Sequence, residues 1–235
     1  MEIYIIRHAQ STNNALEDQS ERVCDPPLTD LGRRQAEILA RHLGQGQEPF
    51  AQAAGNRNPR GYGITRLYCS PMWRALQTAQ PIGQILELAP EVWVDIHEYG
   101  GIYLDHGDAG GIVGYPGRNR SEILEEFPDY LLPADVTERG WWNQGREDRS
   151  ACFGRAIKIA RTLRGWAESD ERVAIVSHGG FIDALLKSLL NHAPSPYVFY
   201  YHFNAAISRI DLYAGGRLDV RYFNQVAHLP PESIS

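Results

Sequence analysis

Residues 173–190 read VAIVSHGGFIDALLKSLL. The first four form a continuous apolar run, the pattern of a strand buried on both faces, and residues 181–190 carry a helix candidate. Only Ser177-His178-Gly179-Gly180 stands between them, a tight strand-to-helix turn. The same step recurs earlier. Ile3, Tyr4, Ile5 and Ile6 make a short buried strand that stops at Arg7-His8. A helix is predicted from 30 to about 43, capped by Thr29, ended by Gly44, with Leu31, Ile38, Leu39 and Leu43 on one face. Residues 66–69 read as a second strand, after which Ser70 and Pro71 fit the cap and first position of a helix running through Thr78 and Ile82 towards Leu88. A strand at 92–94, a helix at 151–166 and two closing strands at 207–213 and 218–223, joined by Gly215-Gly216, complete the pattern. Strands alternating with helices predict an α/β fold, a three-layer sandwich with a mostly parallel central sheet flanked by helices.

Two stretches stand outside this rhythm. Residues 44–63 are rich in Gly, Gln, Asn and Pro and read as a long exposed loop. Residues 100–120 hold many glycines, and 121–150 mix short helical signals with Pro128, Pro133, Trp141 and Trp142. The expectation is one domain over 1–235 with a cap or insertion at about 99–150.

The chain has 235 residues, 43% hydrophobic and 22% charged, which suits one large domain with a real core. Its net charge of −6 argues against a nucleic-acid binder working through bulk charge. No apolar run approaches the ~20 residues that span a bilayer, and no basic-then-apolar leader opens the chain, so a cytoplasmic protein without a membrane partner is expected. Cys24, Cys69 and Cys152 form no CxxC pair, which disfavours a disulfide framework and a zinc knuckle. Lys158 and Lys187 are the only lysines, neither follows a glycine-rich loop, and a P-loop is excluded.

The polar residues carry the chemistry. Arg7 and His8 follow the first strand, Arg74 lies in the first turn of the helix after the second, and His178 follows Val176-Ser177 at the end of the strand at 173–176. In open α/β sheets ligands bind at the carboxyl ends of strands, where helix N-termini favour anions. Arginines and histidines converging there suit a phosphate dianion. The remaining histidines at 42, 192, 202 and 228 are read as structural or solvated. His97, His106, Asp105 and Asp108 lack the helical spacing of metal ligands, and no metal is expected.

In its motifs the chain resembles the histidine phosphatase superfamily, in the branch that includes cofactor-dependent phosphoglycerate mutase. The resemblance rests on Arg7-His8-Ala9-Gln10-Ser11 with Asn14, on Leu28-Thr29-Asp30-Leu31-Gly32 with Gln35-Ala36, on Ser70 with Arg74-Ala75 and Gln77-Thr78-Ala79, and on Ser177-His178-Gly179. Asn204 before Ile207 fits a weaker last motif. The motifs come in the family's order and leave 99–150 uncovered. Ala9 and Gln10 depart from the family's glycine and glutamate; the second change removes a negative charge near the entrance.

The resemblance implies that His8 is a nucleophile that becomes phosphohistidine, while Arg7, Arg74 and His178 clamp the transferring group. It also implies a carboxyl shortly after the third strand that protonates the leaving alkoxide and activates water. Glu98 fits that place, with Asp95 and Asp105 as competitors; repulsion from a bound phosphate favours the acid form such a group needs. Ser11, Asn14 and the Gly179 N–H are candidates for substrate-binding hydrogen bonds. The implied activity is a phosphomonoesterase acting on a small organic phosphate ester without cofactor. A phosphoglycerate mutase-type transfer is disfavoured because no arginine pair precedes a proline run, although Arg118 and Arg120 are candidates for holding a carboxylate. A non-catalytic phospho-ligand binder is disfavoured because the implied nucleophile, clamps and acid are all present. Tyr99, Tyr103, Trp141 and Trp142 are candidates either for a substrate wall or for core packing. Substrate and oligomeric state are not legible.

Overall fold

In a computed structural model, residues 1–46, 49 and 61–235 are described. The predicted loop at 44–63 therefore falls mostly outside the described residues. The elements run β1 (Glu2–Arg7), α1 (Thr12–Ala15), α2 (Asp30–Gln45), β2 (Arg66–Cys69), α3 (Trp73–Leu86), β3 (Glu91–Val92), β4 (Tyr103–Asp105) and α4 (Gly107–Gly110). They continue with β5 (Ile112–Gly114), α5 (Arg120–Glu126), α6 (Arg149–Gly165), β6 (Arg172–Ser177), α7 (Gly179–Leu189), β7 (Ile207–Leu212) and β8 (Leu218–Gln225).

Among the described residues six strands form one sheet in the order β3-β2-β6-β1-β7-β8. The first four run parallel, and β7 and β8 are antiparallel additions. The apolar run of β1 explains its central place. Tyr4 and Ile6 face one core with Leu39 and Leu43 of α2 and Leu76 and Ile82 of α3, while Ile3 and Ile5 face the other with Phe153 and Ile159 of α6 and Leu185 of α7. The period-two alternation of a strand thus divides one run of apolar residues between two layers of helices. Ile102, Ile123, Phe127, Trp141 and Trp142 extend the first core into the 99–150 segment. Among the described residues no helix is long and apolar enough to cross a membrane.

Local details differ from the sequence reading in three places. Helix α3 begins at Trp73 rather than at Pro71, with Met72 in extended conformation as its cap residue. The Ser70 hydroxyl is drawn to another partner, described below, and the carboxylate of Asp25 accepts the Trp73 N–H at 3.0 Å in its stead. The strand expected at 92–94 stops at Val92 and tightens into a 3₁₀ turn over Val94–Ile96. Helix α2 passes Gly44 and is capped by Gly46, whose N–H reaches the His42 carbonyl.

Several buried histidines make the fold acid-sensitive. Burial lowers His97 from 6.5 to about 3, and His202 and His228 to about 4. The unfolded chain therefore binds more protons below about pH 6.5, and stability falls as pH drops through that value towards the folded pKa values. Burial raises Asp25 to about 6, which works the other way between about 6 and its ordinary 3.8. Three histidines outweigh one carboxyl, so urea denaturation at about pH 5 should show at least ~2 kcal/mol less stability than at about pH 7.5. An unchanged midpoint would mean that these imidazoles are hydrated.

Candidate active site

Strand register builds the centre of the site. Arg7 of β1 pairs with Ser177 of β6, so the next residues, His8 and His178, emerge side by side with ring centroids 5.0 Å apart. Cys69 of β2 pairs with Val176, which places Ser70 beside the same strand end, where its Oγ lies 2.7 Å from His178 Nε2.

His8 is fixed in one tautomer. Its Nδ1 lies 2.7 Å from the Ala9 carbonyl oxygen, which can only accept, so Nδ1 carries the proton. Nε2 then holds a lone pair, and Arg74 Nε donates to it at 3.1 Å. Burial, then the Arg74 and Arg7 guanidinium groups, push the ring well below its ordinary 6.5, so the imidazole is neutral. Its backbone is held independently: the His8 N–H donates to Ser177, and its carbonyl accepts from the Asn204 side chain at 3.0 Å.

Cations surround this lone pair. Arg7 donates from Nη1 to the His202 carbonyl at 2.5 Å, while its buried Nε has no partner among the described residues. His178 Nδ1 is likewise buried and unpartnered. Burial, then Arg74 and His8, hold His178 well below 6.5, so it too is neutral. Ser70 Oγ accepts the Met72 N–H, and with its own proton given to His178 Nε2 the buried Nδ1 carries the ring's N–H. Arg74 is countered by Asp25, whose Oδ1 lies 3.9 Å from Arg74 Nη1 and whose buried Oδ2 has no partner among the described residues.

Glu98 reaches the site from the turn after β3. Its Oε1 accepts the N–H groups of Tyr99 (2.8 Å) and Phe181 (2.9 Å), and its Oε2 that of Gly180 at 3.3 Å. The carboxylate therefore sits on the N-terminus of α7, next to His178. Arg155 steadies the approach: it donates to the Asp95 and His97 carbonyls and pairs bidentately with Glu147. A methyl group on Gly180 would come within 2.7 Å of Glu98 Oε1 and 3.2 Å of the Tyr99 Cβ. Gly180→Ala should therefore displace the carboxylate and lower kcat roughly tenfold or more, with little change in KM or thermal stability. Steady-state kinetics read this, and an unchanged kcat would mean that the placement of Glu98 is not limiting.

Ser11 and Asn14 close the near wall. Asn14 Oδ1 accepts from the Ser11 N–H, the Ser11 hydroxyl and Asn204 Nδ2, so its NH₂ is the end left to offer. A Cβ on Gly179 would sit 3.6 Å from Arg7 Nε, and that glycine lies directly against the guanidinium. Arg7, His8, Ser11, Asn14, Arg74 and Glu98 line one pocket of about 510 Å³, together with Arg22, Tyr99, Tyr103 and Arg146.

Other candidates lie elsewhere or serve the fold. Asp95 pairs with Lys158 at the surface, and Asp105 stands on the pocket rim, where its Oδ1 accepts the Gly107 N–H. Trp141 and Trp142 are buried against His97. Arg118 lies over the Trp73 ring and Arg120 donates to three backbone carbonyls, so neither lines the pocket. Gln10 does not line the pocket, and its Oε1 accepts from the Thr29 hydroxyl. The methyl of Ala9 is fully buried, and the Ala9 N–H donates to Thr78. Among the described residues no group of three or more His, Cys, Asp or Glu is placed to hold a metal.

Comparison with known proteins bears on the family. The model of the histidine phosphatase superfamily (branch 1) matches residues 3–225. Phosphoglycerate mutase-like protein 4 of Arabidopsis thaliana is 25% identical over 97% of this chain and 86% of its own length. A probable phosphoglycerate mutase of Yersinia enterocolitica is 24% identical over 90% of this chain and 85% of its own. Among solved structures, a mutant phosphoserine phosphatase from Entamoeba histolytica in complex with phosphoserine has a TM-score of 0.59 at 21% identity, covering 97% of this chain and 99% of its own. YhfR from Bacillus stearothermophilus has a TM-score of 0.62 at 20% identity, covering 97% and 98%. These two structures share the fold, and the mostly parallel sheet expected from the sequence is the one observed. With a family match that spans nearly its whole length, the chain belongs to the histidine phosphatase superfamily, branch 1.

Proposed function

We propose that this chain is a phosphomonoesterase that hydrolyses a small organic phosphate ester through a phosphohistidine on His8. The observation that carries this reading is the His8 ring itself, neutral, with its proton held by Ala9 and its Nε2 lone pair set among Arg7, Arg74 and His178. Phosphoryl transfer asks a protein mainly for position and for stabilisation of charge on the equatorial oxygens. The unpartnered N–H of Arg7 Nε and the Nδ1 of His178 are donors for those oxygens, and Arg74 supplies a planar fork. Asn14 NH₂ adds a neutral donor on the same wall, oriented by the Ser11 hydroxyl that donates to Asn14 Oδ1.

In the first step Nε2 attacks phosphorus, the bond from phosphorus to the ester oxygen breaks, and Glu98 gives its proton to the departing alkoxide. Oε2, held only by the longer 3.3 Å contact, is the oxygen freer to carry that proton. In the second step water attacks the phosphohistidine, Glu98 takes the water proton, the phosphorus–nitrogen bond breaks, and inorganic phosphate leaves with His8 neutral again. The rim of the pocket carries the exposed Asn14, Arg22 and Arg146, so water has a path to the intermediate. Hydrolysis is favoured over return of the phosphoryl group to a reoriented product.

The test is turnover of an aryl phosphate in the presence of a chelator, run beside phosphoryl exchange on 3-phosphoglycerate primed by its bisphosphate. Release of inorganic phosphate is the expected result. Exchange without net release would assign a mutase instead, and binding of phosphate without either reaction would leave a scaffold.

A further inference from the structure

Two arginines in the pocket take no part in the chemistry above. Arg22 and Arg146 both line it, both are exposed, and neither has a carboxylate partner within 4.0 Å among the described residues. They come from separate parts of the chain, and the residue after each one is anchored. Val23 is held at both backbone atoms by the buried Asn13 side chain, whose Oδ1 accepts its N–H at 3.1 Å and whose Nδ2 donates to its carbonyl at 2.8 Å. Glu147 is held by its bidentate pair with Arg155 and by its own N–H on the Gly100 carbonyl. Among the described residues Arg22 donates only to the neutral Gln19 Oε1, at 3.0 Å. Arg146 lies over the rings of Tyr103 (5.1 Å) and Tyr99 (5.7 Å), which orients a planar cation and leaves its N–H edge for a ligand. The carboxylates nearby are engaged by backbone, Glu98 on α7 and Asp105 Oδ1 on Gly107. His106 on the same rim is bonded to the Tyr115 hydroxyl through Nε2.

We propose that Arg22 and Arg146 form a second anion subsite, and that the preferred substrate is a phosphomonoester whose leaving alcohol bears a further anionic group. A neutral alcohol would leave both guanidinium groups facing the pocket without a counter-charge. A carboxylate or a second phosphate would receive charge-assisted hydrogen bonds from them while the ester phosphate occupies the site of Arg7, Arg74 and His178. The inference rests on the reading of that site as the phosphoryl subsite.

The experiment uses matched pairs. The first is 3-phosphoglycerate against the glycerol phosphate of the same configuration, which differ by a carboxylate in place of a hydroxymethyl. The second is the bisphosphate against the monophosphate of propanediol, and it separates a second phosphate from a carboxylate. Wild-type kcat/KM should favour one acidic member roughly tenfold or more, and Arg22→Gln and Arg146→Gln should each shrink that preference by about tenfold. Raising the salt should shrink it too, because exposed charges are screened. Equal rates within each pair, or a preference untouched by both substitutions, would overturn the subsite. Calorimetric affinities of the same ligands for His8→Ala protein give a readout that needs no turnover. Failure of the phosphatase reading shows as no ester cleaved, aryl phosphate included. Failure of the subsite shows as cleavage, or binding, blind to the second charge.

Discussion

Replacing His8 with alanine is expected to abolish ester turnover, a loss of at least about 10⁴-fold, because among the described residues the other imidazole at the site, His178, has its Nε2 engaged by Ser70. The substitution tests chemistry rather than folding. The loop is held by backbone contacts that survive it, the N–H to Ser177 and the carbonyl to Asn204. The space left by the ring lies beside His178 at the pocket floor rather than within either hydrophobic core. Phosphate release from an aryl ester, with a thermal melt on the same sample, separates the two effects. Activity retained to within about tenfold would remove His8 from the reaction, since a lost nucleophile costs far more.

Arg74→Gln has the second-largest expected effect, and its consequence is double. The guanidinium donates to His8 Nε2 and is a clamp for the transferred group, so kcat/KM should fall by about 10²–10³ or more. It also faces Asp25, a carboxyl only 8% exposed with one oxygen unpartnered among the described residues. Without the arginine that buried charge keeps the Trp73 N–H but loses its facing cation, and stability at about pH 8 should fall by ~2–3 kcal/mol. Losing Arg74 removes a charge that holds Asp25 down, so in the variant its carboxyl takes up a proton above about pH 6 and the penalty should shrink as pH falls towards that value. Adding Asp25→Asn to Arg74→Gln should restore the stability and none of the activity. If the second substitution restored both, the arginine would act through the fold instead of through the phosphoryl group. Urea midpoints and kcat/KM of the two variants decide it.

Much of this was legible because strand ends are legible. The apolar runs of β1 and β6 end at Arg7-His8 and Ser177-His178, and any parallel register that pairs them must put the two histidines together. Arg74 was readable as a first-turn residue after a short strand, and Glu98 only through the resemblance, since the turn that carries it has no periodic signal. Ser70 shows the limit of local chemistry. A serine before a proline is a good helix cap by type, yet its hydroxyl lies beside the end of β6, 2.7 Å from His178 Nε2. Asp25 escaped notice for a related reason. An Asp before two prolines reads as a turn residue, and only the fold carries it 48 positions along the chain to the start of α3. Arg22 and Arg146 were invisible as a pair because nothing in either local sequence marks a cation that faces a pocket. Gln10, a departure from the family pattern, and Gln35, a part of it, are both struts: Gln35 Oε1 accepts the Gln10 N–H while its Nε2 donates to the Ser233 carbonyl.

The most direct measurement is a rapid quench with an ester labelled in its phosphate, followed by mapping of any label retained on the polypeptide. The expected result is one phosphoryl group per chain, stable in base and lost in acid, on His8 and bonded through Nε2. Turnover with no covalent label at any quench time, or a label on a carboxyl group or another imidazole, would contradict the central claim.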